Sequence, residues 1–194
     1  NKTKWDLRNK AARKRLIDAG VDIQHRMFNN STHIGHNKFV VHVPPAAPGH
    51  PAGAPAAPHS VFTGSTNWTS TGVAGQTNLW IEDDAVAGAF LDYGHRLAAD
   101  PQKLPQPFSR PMKDNQQGKP FRSSNESATE VALTTGATVR VWFSPNRPER
   151  RKPTSKTKPT PVPPDLVEAY RPMRPAKDAI LFLAFYPGQQ GKDC

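Results

Sequence analysis

Apolar positions recur along the chain in short runs, and their spacing changes from segment to segment. Over 5–19, WDLRNKAARKRLIDA, residues Leu7, Ala11, Ala12, Leu16 and Ile17 fall at roughly helical intervals, and Gly20 follows as a C-terminal glycine would. VDIQHRMF (21–28) reads as a short strand, and HNKFVVHV (36–43), β-branched around Phe39, as a more buried one. SVFTG (60–64), LWIEDD (79–84) and TVRVWFSP (138–145) have strand character too, and AILFLAFYP (179–187) reads as a buried strand. DDAVAGAFLDYGHRLAAD (83–100) predicts a helix that Asp83 or Asp84 can cap. DLVEAYRPMRPAKD (165–178) predicts a helix broken or kinked by Pro172 and Pro175, with Tyr170 and the Leu-Phe stripe of 181–185 in the core. Strands alternating with helices predict an α/β layered fold.

Between these runs the pattern is polar and proline-rich. PPAAPGHPAGAPAAPHS holds six prolines between 44 and 58, so it predicts an exposed loop and neither helix nor central strand. STNWTSTGVAGQTN (65–78) reads as a glycine-punctuated loop, 101–129 as a polar connector, and NRPERRKPTSKTKPTPVPP (146–164) as a basic loop. These stretches account for a hydrophobic share of 36% and for 21 prolines in 194 residues, roughly double the common frequency. Twenty-six Lys and Arg against sixteen Asp and Glu give +10, a charge that favours polyanionic partners such as nucleic acid or an acidic membrane surface. No apolar run is long enough to span a membrane. The basic start of the chain is followed by no apolar segment of a secretory signal, which predicts a soluble chain of unassigned compartment. Cys194, the single cysteine, allows no internal disulfide.

Two short motifs flank the proline loop. In His36-Asn37-Lys38, entering FVV, residues two apart on an extended strand point to one face. An imidazole and an ammonium can then converge on one small anion: the histidine as nucleophile or proton shuttle, the lysine neutralising a phosphate oxygen. In Gly64-Ser65-Thr66-Asn67-Trp68-Thr69 the glycine permits close backbone approach, while Ser65 and Asn67 offer short donors to phosphate oxygens. Trp68 is expected to pack beneath its loop, with stacking on a base or sugar as the other reading. His33, His36 and His42 could also supply imidazoles to zinc, but neither a Cys cluster nor H-E-x-x-H accompanies them, so no metal is expected.

H-x-K followed by G-S-T-N, with AGVDI before it and GQTN after it, resembles the active-site motifs of the phospholipase D and nuclease superfamily. The likeness is clearest over about 15–97; TVRVWFSPN and AKDAILFLAFYPG look like the start of that family's second half. The resemblance implies a mixed β-sheet flanked by helices. It also implies a phospholipase D-like half over 1–100, a connector over 101–135 and an incomplete second half over 136–194. It implies phosphodiester hydrolysis through a phosphohistidine, without cofactor or metal, on nucleic acid or phospholipid. By position, His36 would be the nucleophile or the acid, Lys38 would hold a non-bridging oxygen, and Ser65 and Asn67 would complete the phosphate cradle.

The chain departs from the pattern in two places. The motif's aspartate would fall at residue 43, which is Val43. There is a single H-x-K: His25, His33, His42, His50, His59 and His95 all lack lysine at the second position beyond. A second motif must then come from a homodimer partner or from further sequence, and the expectation is a piece of a longer protein or a truncated relative. The reading from another class is a non-catalytic polyanion-binding module that keeps the fold and the cradle.

Overall fold

The computed structural model of the chain describes residues 4–24, 36–46, 48–49, 56–66, 77–100, 118–146 and 162–179. Helix α1, Lys4–Asp18, ends as its sequence predicts. Gly20 adopts φ 79°, its N–H donates to the Ile17 carbonyl, and the Val21 N–H donates to the Leu16 carbonyl. This is the paired closure that a left-handed glycine makes possible. The apolar positions are scattered around the helix instead of forming a stripe, and residues 10–20 are exposed throughout. Residues 21–24, expected to open a strand, are irregular, and 25–28 lie outside the described residues.

Three strands form one sheet in the order β1 (Phe39–His42), β2 (Ser60–Gly64), β3 (Asn78–Glu82), each pair antiparallel. The proline-rich segment is therefore the connection of a hairpin. Its ends are held where His42 pairs with Ser60 and the His59 N–H donates to the His42 carbonyl. Helix α2, Asp84–Ala99, follows directly, with Asp83 as its N-cap: a carboxylate oxygen accepts the Val86 N–H at 2.9 Å. Of the two carboxylates expected to cap this helix, Asp83 does so.

The sheet packs on α2 through Phe39 and Val41 of β1, Val61 of β2 and Ile81 of β3. Phe39 meets Phe90 and Tyr93, with ring centroids 5.4 and 5.8 Å apart, and Val61 is fully buried against Val86 and Ala87. A second sheet, β4 (Thr129–Ala132) with β5 (Thr138–Val141), is an antiparallel hairpin turned by Gly136 at φ 83°. It adds Val131 and Val141 to the same core, and Phe143 stacks on Tyr93 at 4.3 Å. The stretch expected as connector thus carries a strand, and a short helix α3, Gly118–Ser123, whose Phe121 is buried beside Tyr93.

The α/β content expected from the sequence is present. A mixed sheet is not: among the described residues both sheets are antiparallel. The compact units are 1–149 and 150–194, with β5 inside the first. In the second unit, helix α4 (Pro164–Tyr170) gives way to a 3₁₀ turn at Arg171–Met173, where Pro172 lacks the N–H needed to continue. Tyr170, expected in the core, is 43% exposed. The predicted strand 179–187 lies outside the described residues beyond 179.

Candidate functional site

Strand alternation decides where the H-x-K residues point. Asn37 and Phe39 both reach Tyr93: the Asn37 side-chain amide donates to the Tyr93 hydroxyl, and Phe39 lies against its ring. Lys38, between them and directly before the strand, therefore falls on the opposite face with Val40, while His36 lies in irregular chain three residues before β1. Phe39 pairs with Thr63, and the Thr63 hydroxyl donates to the Lys38 carbonyl at 3.1 Å. The β1–β2 pairing ends at Phe39–Thr63, so Lys38 and Gly64 directly adjoin its last pair. The two motifs, separated in sequence by the proline loop, meet at one end of one sheet.

His36 is exposed. Lys38 is half-buried, and its ammonium donates to the His36 carbonyl at 2.8 Å. Desolvation by partial burial draws that ammonium below the ordinary lysine value. Ser65 is exposed: its N–H donates to the Thr77 carbonyl at 3.2 Å, and its hydroxyl donates to the same oxygen at 3.4 Å. Asn67 and Trp68 lie outside the described residues, as do His33 and His50.

Gly64 has a reason of its own to be glycine. A Cβ there would lie 2.5 Å from the Thr77 carbonyl oxygen and 2.8 Å from the Asn78 Cα, and would strike the Asn78 side-chain oxygen. The close backbone approach that this glycine permits is made by Thr77 and Asn78. Asn78 also donates its amide to the Thr66 hydroxyl at 2.6 Å, and Thr66 is buried. Thus the GST turn is clamped from the GQTN side.

Sequence reasoning did not single out Asn37, Asn78 or Tyr93. Tyr93 is 1% exposed; its hydroxyl accepts from Asn37 and donates to the Ser144 carbonyl at 2.9 Å. The available signal was the position of Asn37, the residue between His36 and Lys38, which must face the core if they face outward. Val43, at the place of the motif's aspartate, is exposed at the end of β1. His59, read as solvated, is exposed but places Nδ1 3.1 Å from an Asp84 carboxylate oxygen, at the sheet end away from His36.

Among the described residues no three His, Cys, Asp or Glu side chains gather as a metal site, and no helix is long and apolar enough to cross a membrane. No protein-family model, curated protein or solved structure matches the chain.

Proposed function

We propose that this chain is a phospholipase D-like phosphodiesterase module acting on nucleic acid or phospholipid, with His36 as nucleophile and Lys38, Ser65 and Asn67 around the phosphate. The observation that carries the reading is the β1–β2 pairing, which brings H-N-K and G-S-T to one sheet end. In the proposed reaction an imidazole nitrogen of His36 attacks phosphorus, an N–P bond forms, and the ester P–O bond opposite it breaks. The leaving alkoxide takes a proton from a second histidine, supplied by a second copy of the chain or by further sequence. Water then attacks phosphorus while giving a proton back to that second histidine, the N–P bond breaks, and a phosphomonoester and free His36 result. Lys38 neutralises a non-bridging oxygen in both steps, its ammonium moving off the His36 carbonyl to do so.

The second reading, a polyanion-binding module without turnover, is favoured by Val43 at the aspartate's place and by the single H-x-K. Hydrolysis of bis(p-nitrophenyl) phosphate in EDTA, for wild type and His36→Ala across protein concentration, separates the two. The enzyme reading expects activity lost by orders of magnitude in His36→Ala, as removal of a covalent nucleophile demands. A site shared between copies expects wild-type activity to rise more steeply than linearly with concentration. An inactive wild type whose salt-sensitive polyanion binding is indifferent to His36→Ala supports the binding module instead.

A further inference from the structure

We infer that the face of the β1–β3 sheet turned away from α2 binds single-stranded nucleic acid, stacking bases on Trp80 and Phe62 with a phosphate at Lys38. The inference deepens the phosphodiester reading and rests on it for the position of the phosphate. Alternation puts three cross-strand rows on this face: Lys38, Gly64 and Asn78; then Val40, Phe62 and Trp80; then His42, Ser60 and Glu82. The middle row is apolar, with Val40 and Trp80 exposed and Phe62 half-buried between them. Trp80 is 60% and Val40 44% exposed, and Phe62 and Trp80 sit directly opposite with ring centroids 6.3 Å apart. The Trp80 indole N–H donates to a Glu82 carboxylate oxygen at 3.1 Å. That bond fixes the ring and leaves its π-face as what it offers a partner.

The face is polarised along the strands. Lys38 stands two residues from Val40, about 7 Å along β1, and Trp80 about 10 Å across two strand spacings. The cation therefore lies at one end, the aromatic pair in the middle and the Glu82 carboxylate at the other end. A nucleotide has the matching order: an anionic phosphate, then a flat base with a π-face, then a base edge carrying amino donors. An anionic bilayer presents phosphate across the whole face and would meet Glu82 with like charge. A duplex keeps its bases stacked on each other and offers none to the indole. The net charge of +10 draws a polyanion to the chain, and stacking on the exposed Trp80 ring beside half-buried Phe62 holds an unpaired strand there.

Fluorescence anisotropy of the full chain with a labelled single-stranded oligodeoxynucleotide tests this, with the duplex of the same sequence and phosphatidylglycerol vesicles as comparisons. The single strand is expected to bind more tightly than the duplex. Trp80→Ala is expected to weaken single-strand binding about 5- to 100-fold without changing its dependence on salt, and Trp80→Phe to restore most of it. Trp80→Thr, which keeps strand propensity, serves if the alanine variant unfolds in urea at a lower midpoint. Single-strand affinity indifferent to Trp80 overturns the inference. So does vesicle binding that depends on Trp80 more than strand binding does, or a dimer that Trp80→Ala dissociates while strand affinity is unchanged. Wild-type hydrolysis of bis(p-nitrophenyl) phosphate distinguishes the failures. Trp80-dependent strand binding without hydrolysis overturns the enzyme reading and leaves this one, whereas hydrolysis with Trp80-independent strand binding overturns this one alone.

Discussion

Replacing Tyr93 by Phe removes one hydroxyl from the middle of the first unit and leaves the packing in place. The ring is buried and stacked on Phe143 at 4.3 Å, so a phenyl ring fills the same space. What goes is the bond accepted from Asn37 and the 2.9 Å bond donated to the Ser144 carbonyl. A neutral hydrogen bond contributes about 1 kcal/mol net. Asn37 and Ser144 are both exposed residues, so water can satisfy the groups left behind and the larger penalty for stranded buried groups does not apply. The expected loss is therefore about 1–2 kcal/mol, against about 3–5 kcal/mol for Tyr93→Ala, which empties the place of the ring. Urea unfolding measures it as a lower midpoint at constant slope. Asn37→Ala and the double variant close a thermodynamic cycle, with an expected coupling of about 0.5–1.5 kcal/mol. A Tyr93→Phe loss below about 0.3 kcal/mol, with no coupling to Asn37, would refute the claim that this hydroxyl ties the H-x-K strand to residue 144.

Three further outcomes follow from the same geometry. Gly64→Ala is expected to cost about 1–3 kcal/mol in urea unfolding, because its methyl group meets the β3 backbone and not a flexible side chain alone. Arg96→Ala is expected to cost about 2–3 kcal/mol, since the guanidinium donates to Ser124 at 2.6 Å and to the buried Asn125 at 2.7 Å while lying over Tyr93; a change within 0.5 kcal/mol would contradict this. Lys38 binds its proton less tightly folded than unfolded, so stability is expected to rise as pH climbs through its lowered folded pKa toward the ordinary lysine range. Phosphate binding at Lys38 is expected to fall over the same window, and Lys38→Gln should abolish both trends in unfolding and anisotropy titrations.

What could be read from the sequence were features whose causes are local. Helix α2 announces itself through Asp83 and a regular apolar stripe, and the end of α1 through Gly20, because capping depends on a few adjacent residues. Strands β1 and β2 were visible in FVV and SVFTG because β-branched runs have few alternatives. Strand β4 was not, since TEVA offers Val131 as its one buried residue and its pairing is settled by β5 across the Gly136 turn. Helix α3 was hidden by Pro120 and anchored by one aromatic contact. The H-x-K motif was legible, but the reach of its middle residue Asn37 to Tyr93 was not, since the two lie far apart in sequence. What approaches Gly64 was hidden for the same reason: its crowding comes from Thr77 and Asn78, whose approach no local pattern reveals.

The hairpin joining β1 to β2 has a consequence for how this chain can be altered. Its register is set by paired backbone from Phe39–Thr63 to His42–Ser60, so the length of 43–59 does not enter the alignment of H-N-K with G-S-T. Closing a flexible loop costs only about 0.6 kcal/mol more for each doubling of its length. The segment can therefore be shortened, lengthened or replaced by a reporter module while the two motifs stay in step. Copies of this hairpin with very different spacers would carry the same pairing, and a search that fixes the distance between the motifs would overlook them.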